Sequence, residues 1–171
     1  MTKALYPGGF DPPTVGHLDI VERSARLFDE VVVGIFGRSS ELFTIDERSV
    51  LMAEATAHLT NVTVTQFDGL MVKYALDIDA PVVVRGLRAL TDFAAEFDMA
   101  MMNAKMAPEI DQAYFMTRSR HLYISASRIR ELAALRQSVS DLVPPNVGAA
   151  LEEKFGPPQT ALGVRERGDA G

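Results

Sequence analysis

The chain predicts a doubly wound α/β fold: a single parallel sheet of five strands with helices on both faces. Three observations carry that prediction. Short apolar runs rich in β-branched residues recur along the chain, each followed by a stretch of helical periodicity, and that alternation builds parallel βαβ units. The runs are apolar at consecutive positions, as in Val31-Val32-Val33-Gly34-Ile35-Phe36, which is the pattern of strands buried on both faces. The stretches between them open on capping residues, most clearly Thr44-Ile45-Asp46-Glu47, where a Thr and a Glu three residues on satisfy each other's backbone donors.

Taken in order, residues 3–6 read as a short buried strand stopped by Pro7-Gly8-Gly9, and Thr14 caps a helix in which Leu18, Val21, Ala25 and Phe28 recur at helical spacing. The second strand is the valine run at 31–36. The Thr44 capping box opens a helix reaching about His58. Residues 62–66 form the third strand and 70–76 a short helix. The fourth strand, 81–85, carries its Pro at the edge of the run, where a missing donor costs little. Asp92 is the expected cap of a long helix ending near Ala107-Pro108. A fifth strand covers 113–116, a helix runs from about Ser125 through Leu135, and a last one covers 146–155. No linker divides the chain, so residues 1–156 read as one domain. Residues 157–171, rich in Gly, Pro and charge, read as a mobile tail.

Composition narrows the classes of function. A length of 171 residues allows one full-sized core. Cys is absent, which removes disulfides, thiolate zinc sites and thiol nucleophiles. His17, His58 and His121 lie far apart, with no metal-binding spacing. The net charge of −6, from 17 basic and 23 acidic residues, argues against a nucleic-acid partner but not against small anions held in a local cluster of donors. With no signal-like leader and no apolar run of membrane length, the expected location is the cytoplasm, without membrane association.

In a doubly wound sheet, ligands bind outside the carboxyl ends of the strands, and three segments there suit phosphate. The first is Tyr6-Pro7-Gly8-Gly9-Phe10-Asp11-Pro12-Pro13-Thr14-Val15-Gly16-His17. Its glycines admit close backbone approach, and His17 falls in a first helical turn, where the helix dipole attracts phosphate and disfavours imidazolium. The second is Val84-Arg85-Gly86-Leu87-Arg88, two Arg flanking a Gly after a strand. The third is His121-Leu122-Tyr123-Ile124-Ser125-Ala126-Ser127, hydroxyls and free N–H groups at a helix start. Neither a G-x-G-x-x-G fingerprint in the first turn nor a P-loop occurs. On residue type alone, Glu96 and Asp98 read as a solvated helix face and the neighbouring methionines as core.

Thr14-Val15-Gly16-His17 resembles the (H/T)-x-G-H motif of the nucleotidyltransferase superfamily, and the longer string resembles the phosphopantetheine adenylyltransferase family. The R-G-L-R match at 85–88, the D-F-x-x-E run from Asp92 to Glu96 and the I-S-x-S stretch at 124–127 extend the resemblance over most of the chain. It implies a Rossmann-like nucleotidyltransferase fold and transfer of the adenylyl group of ATP to 4′-phosphopantetheine, giving dephospho-coenzyme A and pyrophosphate. It also implies Mg²⁺ carried on the ATP phosphates, with no metal ligand from the protein, and a homo-oligomer, a hexamer. By resemblance His17 is catalytic. ATP would meet Gly9, Phe10, His17, Gly86, Leu87, Arg88, Glu96, His121, Leu122, Tyr123, Ile124, Ser125, Ala126 and Ser127. The acceptor would meet Gly9, Arg38, Met71, Arg85 and Asn103.

The chain departs from the family pattern in places. Gly9 stands where the family has Thr or Ser, Val15 where it has Asn, and Ala126 replaces the middle Ser of the 125–127 turn. His121 replaces an aromatic residue. The loop after the second strand, Gly37-Arg38-Ser39-Ser40-Glu41, has no counterpart of the family's Lys, leaving Arg38 as the candidate for that charge. These departures gather on the acceptor side. Two other readings stay open: adenylyl transfer to another phosphate acceptor such as nicotinate mononucleotide, and a nucleotide-binding homologue with little or no catalysis.

Overall fold

A computed structural model describes residues 1–37 and 41–159. Strands β1 (Lys3–Gly8), β2 (Glu30–Ile35), β3 (Val62–Gln66), β4 (Val82–Leu87) and β5 (Asp111–Met116) alternate with helices α1 (Val15–Ala25), α2 (Ile45–Thr56), α3 (Met71–Asp77) and α4 (Leu90–Met106). A 3-10 turn at Ser119–His121 then leads to α5 (Ala126–Ala134) and α6 (Pro145–Phe155). The five strands form one sheet in the order β3-β2-β1-β4-β5, and every neighbouring pair is parallel. This is the predicted doubly wound sheet.

Consecutive apolar residues serve opposite faces. Ala4, Tyr6, Val33, Ile35 and Val84 pack with Ile20 and Val21 of α1 and Met52 of α2, while Leu5, Val32 and Val83 pack with Val72 and Ala75 of α3. That two-sided burial explains why the strands read as unbroken apolar runs. A third cluster joins Phe43 and Leu51 to Ile129, Ala133, Val147 and Leu151 of the last two helices, seating the α5 end beside α2.

The predicted caps at Thr14 and Thr44 form. Thr44 accepts from the Glu47 N–H while Glu47 accepts from the Thr44 N–H. Thr14 does the same with His17. One cap is corrected: α4 begins at Leu90 with Ala89 at the cap position, and Asp92 lies inside the first turn. There its carboxylate accepts from both the backbone N–H and the Nε of Arg88, so a loop arginine has claimed the residue expected to cap the helix. Beyond Gly156, the Gln159 N–H donates to the Arg136 carbonyl and Arg136 Nε to Pro157. The rest of the expected tail lies outside the described residues.

β1 and β4 set the position of the site. They pair only at Ala4–Val82 and Leu5–Val83, although β1 runs on to Gly8 and β4 to Leu87. The chain winds to β2 and β3 on one side of β1 and to β4 and β5 on the other. The carboxyl halves of β1 and β4 therefore part at the point where the winding reverses, and a crevice opens there.

Candidate active site

The crevice is a cleft of about 470 Å³, within the range of small-molecule sites. Three walls close it. The β1–α1 turn contributes Gly8, Gly9, Phe10 and His17, the end of β4 contributes Arg85, Gly86 and Arg88, and the start of α5 contributes Ile124, Ser125, Ala126 and Ser127. Glu96 of α4 and His121 complete the rim. The three segments read from sequence as phosphate-suited thus meet in one place, although more than a hundred residues separate the first from the last.

The β1–α1 turn is shaped by close packing. A Cβ on Gly8 would sit 2.6 Å from the Phe10 ring, so only glycine fits. Phe10 has a positive φ of 46° and is buried edge-on against both Tyr6 and His17, with ring centroids 5.3 and 5.1 Å apart. The ring thereby fixes the plane of the imidazole. His17 Nδ1 accepts the Thr14 N–H at 3.1 Å, which leaves the proton on Nε2 and makes that nitrogen a donor. Desolvation, with the Arg88 charge adding to it, lowers the His17 pKa to about 4. The site therefore holds a neutral imidazole whose free edge donates a hydrogen bond.

The two arginines are held differently. Arg85 is gripped by Glu96 through a fork, Nε to Oε2 at 2.8 Å and Nη2 to Oε1, and its Nη1 reaches the Pro7 carbonyl across the parted strands at 3.4 Å. Arg88 is clasped by Asp92 and reaches the Ile124 carbonyl at 3.4 Å, which links β4 to the α5 turn. In that turn the Ser125 and Ser127 hydroxyls share a hydrogen bond of 3.2 Å, and Ser125 caps α5 by accepting from the Arg128 N–H. His121 Nε2 accepts from Arg120 Nε at 3.1 Å; burial and the Arg120 charge hold this imidazole below its usual range too.

Five residues singled out from sequence do not line the cleft. Leu87 is buried in the core, while Leu122 and Tyr123 point outward and are exposed. Met71 opens α3 and packs against the apolar cluster on that face of the sheet. Asn103 is buried within α4, and its Nδ2 has no hydrogen-bond partner among the described residues. Arg38 lies outside the described residues.

Sequence reasoning missed a polar scaffold behind the β1–α1 turn. Asp11 is buried, and its two carboxylate oxygens accept the N–H groups of Leu42 and Phe43 at 2.8 and 2.9 Å. Arg130 of α5 donates to the Asp11 carbonyl. Arg48 of α2 is fully buried, pairs with Glu41 at 2.8 Å, and donates to the carbonyls of Gly9, Phe36, Phe43 and Thr44. Together they fix the β1–α1 turn to the segment entering α2. Nothing in the sequence marks Arg48 as inward-facing; its burial in the fold does, since a charge there is costly unless fully paired. Among the described residues no group of three His, Asp or Glu is placed to hold a metal ion, and no helix is long and apolar enough to cross a membrane.

The family model for cytidylyltransferase-like proteins matches residues 5–132. A phosphopantetheine adenylyltransferase of Syntrophomonas wolfei is 47% identical over 157 residues, spanning 91% of this chain and 98% of its own length. One from Thermomicrobium roseum is 48% identical, spanning 90% of this chain and 95% of its own length. A solved structure from Vibrio parahaemolyticus, provisionally described as a nicotinate-nucleotide adenylyltransferase, superposes with a TM-score of 0.66 at 19% identity, covering 88% of this chain and 99% of that one; at that identity the likeness concerns the fold. The chain belongs to the cytidylyltransferase-like nucleotidyltransferases and, within them, to the phosphopantetheine adenylyltransferase family.

Proposed function

We propose that the protein transfers the adenylyl group of ATP to the phosphate of 4′-phosphopantetheine, releasing pyrophosphate and forming dephospho-coenzyme A. The observation that carries this reading is the near-half identity, over nine tenths of the chain, to relatives named for that reaction. The cleft supports it chemically. It gathers four guanidinium groups, those of Arg48, Arg85, Arg88 and Arg130, with a neutral imidazole donor and the first turns of two helices, α1 and α5, around one space, and phosphoryl-type transfer needs positioning and charge neutralisation more than covalent chemistry.

In this reading an oxygen of the acceptor phosphate attacks the α-phosphorus of ATP in line. The new P–O bond forms as the bond to the pyrophosphate oxygen breaks, and the electron pair leaves with pyrophosphate. The acceptor is already an anion, so no general base is required. His17 Nε2–H and the Gly16 N–H in the first turn of α1 donate to the oxygens on which charge grows, the Val15 and His17 N–H groups being taken by Leu142 and Thr14. Arg85, aimed by Glu96, orients the acceptor phosphate. Arg88 and the Ser125–Ser127 turn hold the departing pyrophosphate. Mg²⁺ enters as part of the substrate, bound to the triphosphate. Asn103, with its buried unpaired amide, suits the amide-rich pantetheine arm, and Arg38 supplies a further positive charge on the acceptor side. The chain works as a homo-oligomer, a hexamer in the family it resembles.

Pyrophosphate release from Mg·ATP, measured with 4′-phosphopantetheine and in parallel with nicotinate mononucleotide, tests the reading. Rapid release with the first and background release with the second is the expected result. Release only with nicotinate mononucleotide, or ATP binding without release on either, would overturn it.

A further inference from the structure

Besides His17, Tyr6 brings to the cleft a ring whose polar end has no partner among the described residues. It lies one residue past the last β1–β4 pair, Leu5–Val83, where the two strands part. The residue is 6% exposed and lines the cleft. Its ring is packed edge-on against Phe10, which in turn packs against His17. Its hydroxyl makes no hydrogen bond to any described residue, and the charges acting on it are those of Arg85 and, less strongly, Arg88. A buried phenol normally finds a partner. The Tyr6 oxygen is not among the fully enclosed atoms that lack a partner, so it opens on the cleft, where a ligand oxygen can accept from it.

From this placement we infer that the Tyr6 hydroxyl is a further substrate-binding donor, which hydrogen-bonds an oxygen of the acceptor phosphate held by Arg85. Three features fit. Arg85 lines the same cleft, its guanidinium immobilised by Glu96 and bonded to the carbonyl of Pro7, the residue next to Tyr6. Burial raises the phenol pKa more than the two arginines lower it, so the group stays protonated at any working pH and can only donate toward an anion. And the hydroxyls of the two helix starts are engaged: Thr14 accepts the His17 N–H, and Ser125 and Ser127 bond each other. Tyr6 is thus a neutral donor that adds no charge to a cleft already lined by four arginines, and its rigid ring places the donor at little conformational cost.

The inference rests on the proposed acceptor, and Tyr6→Phe tests it, since Phe keeps the ring contact with Phe10 and removes only the hydroxyl. Affinities of wild type and variant are compared for 4′-phosphopantetheine, for pantetheine lacking the phosphate and for Mg·ATP, beside steady-state rates and thermal midpoints. The expected result is a roughly tenfold weaker affinity for 4′-phosphopantetheine, the size of one lost hydrogen bond to a charged group. Affinities for pantetheine and Mg·ATP stay within twofold, the thermal midpoint is unchanged or higher, and kcat/KM falls in step. Equal affinities for 4′-phosphopantetheine overturn the inference. So does a loss shared by pantetheine, or one confined to Mg·ATP, or one accompanied by a lowered midpoint, which marks a packing role. Failure of the wild type itself to adenylylate 4′-phosphopantetheine would instead sink the proposed function, so the two are told apart in one series.

Discussion

His17 joins two roles in one ring. Through Nδ1 it closes the capping box of α1, and through Nε2 it offers a proton to the cleft. The same contact that starts the helix selects the tautomer that serves the chemistry. Replacing it with Ala removes a donor aimed at developing charge, and such losses are about 10²–10³-fold in kcat. His17→Ala should therefore lower the single-turnover rate by about that factor, with KM for ATP changed little; a change within a few-fold would rule out the transition-state role. The imidazole also makes two statements about pH. Titrating at about 4 in the fold, it stays neutral through any assay from pH 6 to 9, so the acid limb of the kcat profile should not carry an inflection near 6.5. The sign for stability follows from the same shift. The unfolded imidazole takes up its proton near 6.5 and the folded one near 4, so the unfolded state binds more protons between those values and stability falls as the pH drops through that window. Above it the contribution is fully present. Thermal midpoints of wild type and His17→Gln, compared from pH 7 to pH 4.5, should converge toward the acid end.

At the scale of elements, the β1–α1 turn and the segment before α2 are held together by Asp11 and Arg48 in addition to the apolar cluster that Val15, Leu42 and Phe43 share. Arg48 is the stronger test, because its guanidinium is fully buried and bonded to four carbonyls as well as to Glu41. Arg48→Met fills the space but removes the donor that reaches the Gly9, Phe43 and Thr44 carbonyls and the charge that faces Glu41. Removing one side of a buried pair costs about 3–5 kcal/mol, and at ~2–4 °C per kcal/mol for a domain of this size the melting temperature should fall by roughly 6–20 °C. Because the Gly9 carbonyl is among the lost partners, kcat should drop even at temperatures where the variant is folded. A midpoint within 2 °C of wild type would mean that the network adds nothing to stability. This scaffold also marks the limit of what the sequence displays. The strands, the Thr14 and Thr44 caps and the phosphate-suited turns were legible because each is a local pattern of residue type against spacing. Their meeting in one cleft was legible too, since a doubly wound sheet places strand ends together. Arg48 was not, because an Arg between Glu47 and Ser49 on a helix looks the same whether it faces water or four carbonyls. Asp92 was misplaced for a related reason: an Asp before an apolar run reads as a cap, and only the fold brings Arg88 onto its carboxylate. Tyr6 read as strand core, which its ring is, and nothing local distinguishes a phenol whose hydroxyl meets a cleft.

For the whole molecule, α4 presents a surface that a lone chain leaves uncovered. Phe93, Phe97, Met99, Met101, Met102 and Met106 are each about half exposed, all on one helix of 17 residues, and the Phe93 and Phe97 rings lie 6.0 Å apart. Single exposed apolar residues are ordinary on protein surfaces, whereas six on one helix, with Phe93, Phe97 and Met101 at i, i+4 spacing along one flank, suit an interface. Aromatic and Met side chains are also the residue types that protein interfaces collect. The inner side of the same helix carries Glu96, which aims Arg85, and buried Asn103. A partner copy seated on the outer side would therefore brace the helix that positions the acceptor arginine, so assembly and catalysis should be coupled. Phe97→Glu places a charge in the middle of that surface without touching the cleft. Light scattering after gel filtration should show wild type as an oligomer, six copies in the family pattern, and the variant as smaller species. Dissociated variant should lose kcat/KM for 4′-phosphopantetheine more than affinity for Mg·ATP, because it is Arg85 whose support is loosened, and raising its concentration should restore part of the loss. A wild type that elutes as a monomer would remove the interface, and a dissociated variant with full activity would keep the interface but break its link to Arg85.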